Sequence, residues 1–112
     1  MSADTNDIVM QIERSDYALL EVIDERIRAH LKHDTNGDSM ERRGPTDEAW
    51  LSVLMEEVGE VARAICEHRH GHTDYPQFMA ELRSELIQVA AMTTAWVASI
   101  DRAADTPRKD TP

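Results

Sequence analysis

Apolar residues recur at intervals of three and four in three long stretches and nowhere alternate at a period of two, so the chain reads as all-α. From about Asp7 to Lys32 the series Ile8, Ile12, Leu20, Ile23, Ile27 and Leu31 predicts one long helix or two short ones, with Ser15-Asp16 as an internal start signal. His33 to Pro45 carries the turn formers Asn36-Gly37-Asp38 and Gly44-Pro45 without an apolar period, and is read as a loop. Thr46 is placed to cap a second helix running to about Glu67, and Asp47 and Glu48 suit its positive end. That helix shows the stripe Leu51, Leu54, Val58, Val61, Ile65 as its expected core face. The polar stretch His68 to Pro76, with Gly71, ends it. A third helix begins near Tyr75 or Pro76 and presents Phe78, Leu82, Val89, Met92, Trp96 and Ile100 on one face.

These elements predict an antiparallel helical bundle of three main helices. Residues 7–102 form its single domain, with a flexible N-terminus over 1–6 and a polar, proline-broken tail over 103–112. At 112 residues only a limited fraction of the surface is buried, so completion by oligomerisation is expected, as a homodimer or a dimer of dimers. The five aromatic residues leave the core to Leu, Ile, Val, Ala and Met, a palette that favours helices.

A formal net charge of −10 repels polyanions, and no basic stripe offsets it, so a nucleic-acid polymer is not expected as a partner. No stretch has membrane-spanning length and the first residues do not resemble a secretion signal, so the expected location is the cytoplasm. The lone Cys66 cannot form an internal disulfide and is expected to be a small buried side chain.

Several acids sit where apolar residues are expected. At about 100° per residue, Glu85 falls near the middle of the stripe formed by Phe78, Val89, Met92 and Trp96, with Glu81 and Gln88 bordering it. On the second helix, Glu57 and Glu60 share a face with Trp50, Val53 and Ala64. Arg63 can reach Glu60, whereas Glu57 has no basic neighbour on its helix face. An unpaired buried carboxylate costs on the order of several kcal/mol, so a cation is expected between the helices. Hard divalent ions accept such oxygen ligands and commonly share them with substrate phosphates. The plainer reading is a solvated acidic face with Glu85 at its edge.

The segment Glu56-Glu57-Val58-Gly59-Glu60-Val61-Ala62, followed after a loop by Glu85-Leu86-Ile87-Gln88, resembles the paired acidic motif of the MazG-like all-α nucleoside triphosphate pyrophosphohydrolases. The likeness covers roughly residues 17 to 101, and the segment Asp24-Glu25-Arg26-Ile27-Arg28 and the approach through Trp50 look like small phage or bacterial members. It implies Mg²⁺, with Mn²⁺ as an alternative, held by Glu57, Glu60, Glu85 and Gln88, and cleavage of a nucleoside triphosphate between the α and β phosphates to a monophosphate and pyrophosphate. Glu56, or one of the ligands, would be the general base, making Glu56, Glu57, Glu60 and Glu85 the catalytic set.

The family's motif ends in Asp where this chain has Gln88, which offers one carbonyl oxygen and no charge. The alternative is accordingly a weak or inactive relative that binds a nucleotide or a protein partner. Trp50 is a candidate stacking surface for the base, though a Trp at a helix start also suits a core. Arg26, Arg28, Lys32, Arg42 and Arg43 are candidates for the phosphates. A third reading gathers zinc or nickel on His68, His70 and His72 beside Cys66, against the plainer one of a solvated loop.

Overall fold

Helix signals in the sequence become helix ends in a computed structural model, which describes residues 4–34 and 46–105. Asp4 accepts a hydrogen bond from the Asn6 backbone N–H at 3.0 Å and starts α1, Thr5–Glu13. The chain breaks at Arg14 and Ser15, whose backbone N–H donates to the Ile12 carbonyl at 2.9 Å, and resumes as α2, Asp16–Asp34. Of the two arrangements expected for the N-terminal stretch, two helices form, and Ser15-Asp16 marks the restart. The first helix begins at Thr5, inside the segment expected to be a loose N-terminus.

Thr46 caps α3, Asp47–Arg69, by accepting from the Ala49 N–H at 3.2 Å. The helix closes through Gly71, whose φ of 77° is the left-handed conformation that a residue without Cβ adopts freely. There the His72 N–H reaches the Glu67 carbonyl at 2.9 Å and the Gly71 N–H reaches the His68 carbonyl at 3.0 Å. Asp74 then caps α4, Tyr75–Asp105, accepting from the Gln77 N–H at 2.8 Å. This last helix continues past Arg102, where the tail was expected to start. Of the expected loop His33 to Pro45, His33 and Asp34 instead end α2, while 35–45, with Arg42 and Arg43, and residues 106–112 of the tail lie outside the described residues.

Every regular element among the described residues is a helix, so the chain is all-α, and no helix among them is long and apolar enough to cross a membrane. The long α4 is the centre, packing against both α3 and α2. The direction of α3 against α4 follows from their side chains. Trp50, near the start of α3, stacks on Trp96 near the end of α4 with ring centroids 6.1 Å apart. His68, at the other end of α3, stacks on Phe78 near the start of α4 at 4.2 Å. The two helices are therefore antiparallel, joined by a short turn and clamped by rings at both ends.

The expected stripes turn inward in part, with Leu54, Val61 and Ile65 on α3 and Phe78, Leu82, Val89, Met92 and Trp96 on α4 half-buried. Trp50, at 2% exposure, Ala64, Ala91, Ala95 and Val22 form the core, while Leu51, Val58 and Ile100 are exposed. On α2 the whole series Leu20, Ile23, Ile27, Leu31 is exposed, as are Ile8 and Ile12 on α1. The physical reason is that α2 and α3 each carry more than one apolar face. The fully buried positions of α3 and α4 are Trp50 and the small residues Ala64, Ala91 and Ala95, while Leu51 and Val58 fall on the outward side of α3. Cys66, expected to be buried, is exposed. It follows Leu51, Met55, Val58 and Ala62 along the outward side of α3.

Candidate functional site

The face of α3 that turns toward α4 is the one bearing Glu57, because its neighbours on that face, Trp50 and Ala64, are the buried residues of the helix. Glu57 is half-buried, and its Oε2 is screened from solvent with no hydrogen-bond partner. On α4, Glu85 lies between the Phe78 and Trp96 clamps and is in the same condition, half-buried with a partnerless buried Oε2. Two neutral groups share that state, the Trp96 indole N–H and the Thr73 hydroxyl. An orphaned carboxylate is the more costly case, since the ionised form loses hydration as well as a hydrogen bond.

Both acids have raised proton affinity, and Glu85 acts on Glu57. Burial raises the proton affinity of Glu57, and the negative fields of Glu85, Glu56, Glu60 and Glu25 raise it further. Burial likewise raises the proton affinity of Glu85 from its ordinary value, helped by Glu60 and Glu81 and opposed by Arg63. Glu60 stands at the rim, about half exposed, with its Oε2 3.8 Å from Arg63. Arg63 is shared with Glu67, whose Oε1 accepts from Nε at 3.0 Å. The expectation that Glu60 has a basic neighbour and Glu57 none therefore agrees with the ion pairs of α3.

The remaining expected residues divide. Gln88 is half-buried one helical turn from Glu85, and Glu56 is exposed. Glu81 accepts from the Gln77 side-chain amide at 3.0 Å. Trp50, expected as a stacking surface, is instead core, with its ring enclosed against Trp96, so a base cannot stack on it in this packing. Arg26 and Lys32 lie on α2, and each already has an interaction partner. The histidine run is tied up locally. The His68 ring stacks on Phe78 and its Nδ1 is 3.1 Å from the Thr73 carbonyl, while His70 Nδ1 is 2.7 Å from the Cys66 carbonyl. A carbonyl only accepts, so in both rings Nδ1 is the donor.

Two participants were not singled out in the sequence. Glu25 on α2 is only 18% exposed in its side chain and adds to the field on Glu57, bringing a carboxylate from another helix toward the same face. Its pairing with Arg28 at a spacing of three looks like ordinary helix-surface chemistry, which is why sequence pattern hides it. Arg83 on α4 donates to Glu21 on α2, a pairing across 62 residues that local spacing cannot reveal.

Carboxylate and amide oxygens are the donor set preferred by hard divalent cations, and the orphaned Oε2 atoms of Glu57 and Glu85 have coordination capacity that the chain itself does not use. Among the described residues no three His, Cys, Asp or Glu side chains are gathered tightly enough to hold an ion as they stand. Ligation would require side-chain rotation about the existing helical frame. The fold and these acids define an all-α protein with a strained acidic face between paired helices. No protein-family model, curated protein or solved structure matches the chain.

Proposed function

We propose that the chain is a Mg²⁺-dependent nucleoside triphosphate pyrophosphohydrolase of the MazG-like kind, releasing a nucleoside monophosphate and pyrophosphate. The carrying observation is the pair of buried, partnerless carboxylate oxygens on Glu57 and Glu85, each with its proton affinity raised by burial and by neighbouring acids. Residues kept in so unfavourable a state are a functional-site signal when they also match a motif. Glu57, Glu60 and Glu85, with the Gln88 carbonyl, would hold the ion, with Mn²⁺ as a substitute for Mg²⁺. Mg²⁺, when bound, supplies charge neutralisation at phosphate oxygens and a more acidic water.

Glu57 and Glu85, on a helix pair clamped at both ends, would position the phosphate chain only through the ion they would hold, since carboxylates repel phosphate directly. Glu56, exposed beside them, is available to take a proton from the attacking water. At one end of the interface the Trp50 ring, 2% exposed, is closed off from solvent against Trp96. Gln88 brings no charge, which favours weaker ion binding than an aspartate would give. That substitution is the specific observation behind a second reading, a relative that holds nucleotide without turning it over.

A second copy of the chain is part of this proposal. Its support is the aligned exposed apolar residues on α2 (Leu20, Ile23, Ile27, Leu31) and on α3 (Leu51, Met55, Val58). A homodimer or a dimer of dimers would cover these stripes and complete the bundle. Light scattering on the purified chain tests this, with a monomer as the contrary result.

The activity is tested by a pyrophosphate-release screen across nucleoside triphosphates, with and without Mg²⁺, beside Glu85→Ala. Release that needs Mg²⁺ and disappears in the variant supports the enzyme. Nucleotide binding without release by the wild type supports the inactive relative.

A further inference from the structure

A cavity of about 370 Å³ lies between α2 and α4, outside the carboxylate set assigned to the ion. Its polar lining is Glu21, Asp24, Glu25, Arg28, Arg83 and Ser84, with Ala80 and Ile87 supplying apolar wall. We infer that this cavity is the base pocket of the substrate and that its chemistry selects guanine. The inference deepens the pyrophosphohydrolase reading and rests on it for the role of the acidic face.

The volume is in the range of small-ligand pockets, so a base with part of its sugar can be accommodated. Charge decides what kind of group enters. Three carboxylates face two guanidiniums, leaving one negative charge unmatched, so a bare phosphate is repelled whereas a neutral ring is not. Ala80 and Ile87 give the ring an apolar surface. Glu25 joins the two regions, because it lines the cavity and also acts on Glu57. A nucleotide with its base in the cavity would direct its phosphates toward the acidic face.

Guanine is favoured by the two kinds of polar group present. A guanidinium offers parallel N–H donors, which match the guanine O6 and N7 acceptors. A carboxylate offers two acceptors, which match the N1–H and exocyclic amine on the guanine edge. Arg83 donates to Glu21 at 2.5 Å across the α2–α4 groove, and Arg28 pairs with Glu25. The Arg83–Glu21 side chains are about half exposed, so the bond between them is weak in water and exchangeable for bonds to a base. Uracil and thymine lack the paired N–H donors.

The test is equilibrium binding to the full chain of guanosine and uridine without metal, and of tripolyphosphate with Mg²⁺. Each is measured for the wild type, Glu21→Gln, Arg83→Gln and the cavity-filling Ala80→Phe, with circular dichroism verifying the helices. The expected result is guanosine bound at least tenfold tighter than uridine, with the preference lost in all three variants and tripolyphosphate affinity changed less than twofold. Equal binding of the two nucleosides, no nucleoside binding, or variants that weaken tripolyphosphate rather than guanosine overturns the inference. Mg²⁺-dependent pyrophosphate release is scored separately. Release without guanosine preference defeats the base pocket alone, and guanosine selectivity without release from any triphosphate defeats the hydrolase reading alone.

Discussion

The two ends of the α3–α4 interface and its middle obey opposite rules. At the ends, rings meet rings, Trp50 on Trp96 and His68 on Phe78, and apolar area is removed from water. In the middle, Glu57 and Glu85 bury oxygens with no partner, and the negative field of Glu85 reaches Glu57. An interface selected only for stability would place Leu or Met at those positions. The difference teaches that the clamps sustain a centre the helices would otherwise expel, and each region can be perturbed separately.

The largest effect is expected at a clamp. Trp50→Ala removes a ring that is 2% exposed and should cost about 3–5 kcal/mol of unfolding free energy, read by urea denaturation. A loss below about 1 kcal/mol would mean that the stacked pair does not hold the hairpin. In the middle, Glu85→Ala should lower Mg²⁺-dependent pyrophosphate release by about a hundredfold or more, about 2.7 kcal/mol in barrier, while leaving the helices intact. Gln88→Asp should act in the opposite direction, tightening Mg²⁺ binding by roughly tenfold as one more carboxylate faces the ion.

The pH dependence distinguishes the regions more subtly. Glu57 and Glu85 bind protons more tightly in the folded chain than in the unfolded one. More protons bound to the native state make stability fall as pH rises through the raised values, and recover as pH drops back through them. Metal-free protein should therefore melt at higher temperature when acidified through those raised values. Glu57→Gln and Glu85→Gln should flatten that slope, whereas Trp50→Ala should not. The smallest effect belongs to the rim, where Arg63→Ala should leave the melting temperature nearly unchanged, its ion pairs with Glu60 and Glu67 being exposed to water.

Much of the fold was legible because helix ends are written locally. Thr46 before Asp47-Glu48, Gly71 after the α3 stripe and Ser15-Asp16 each act within a turn of their own position. The anomalous acids were legible for a related reason, since Glu57 and Glu85 interrupt faces whose other members are apolar. Which apolar face turns inward was not legible on α2 and α3, as both carry more than one and the choice depends on the partner helix. Leu51 and Val58 were thus placed in the core when Trp50 and Ala64 occupy it. Glu25 and Arg83 escaped notice because their significance arises only where α2 meets the rest of the chain.

The central claim is that Glu57 and Glu85 converge for a divalent ion, and Mn²⁺ binding followed by electron paramagnetic resonance tests it most directly. Wild-type protein at neutral pH should take up Mn²⁺, Mg²⁺ should compete for the same site, and Glu57→Gln together with Glu85→Gln should abolish the uptake. Undiminished Mn²⁺ binding in that double variant, or none in the wild type, would contradict it.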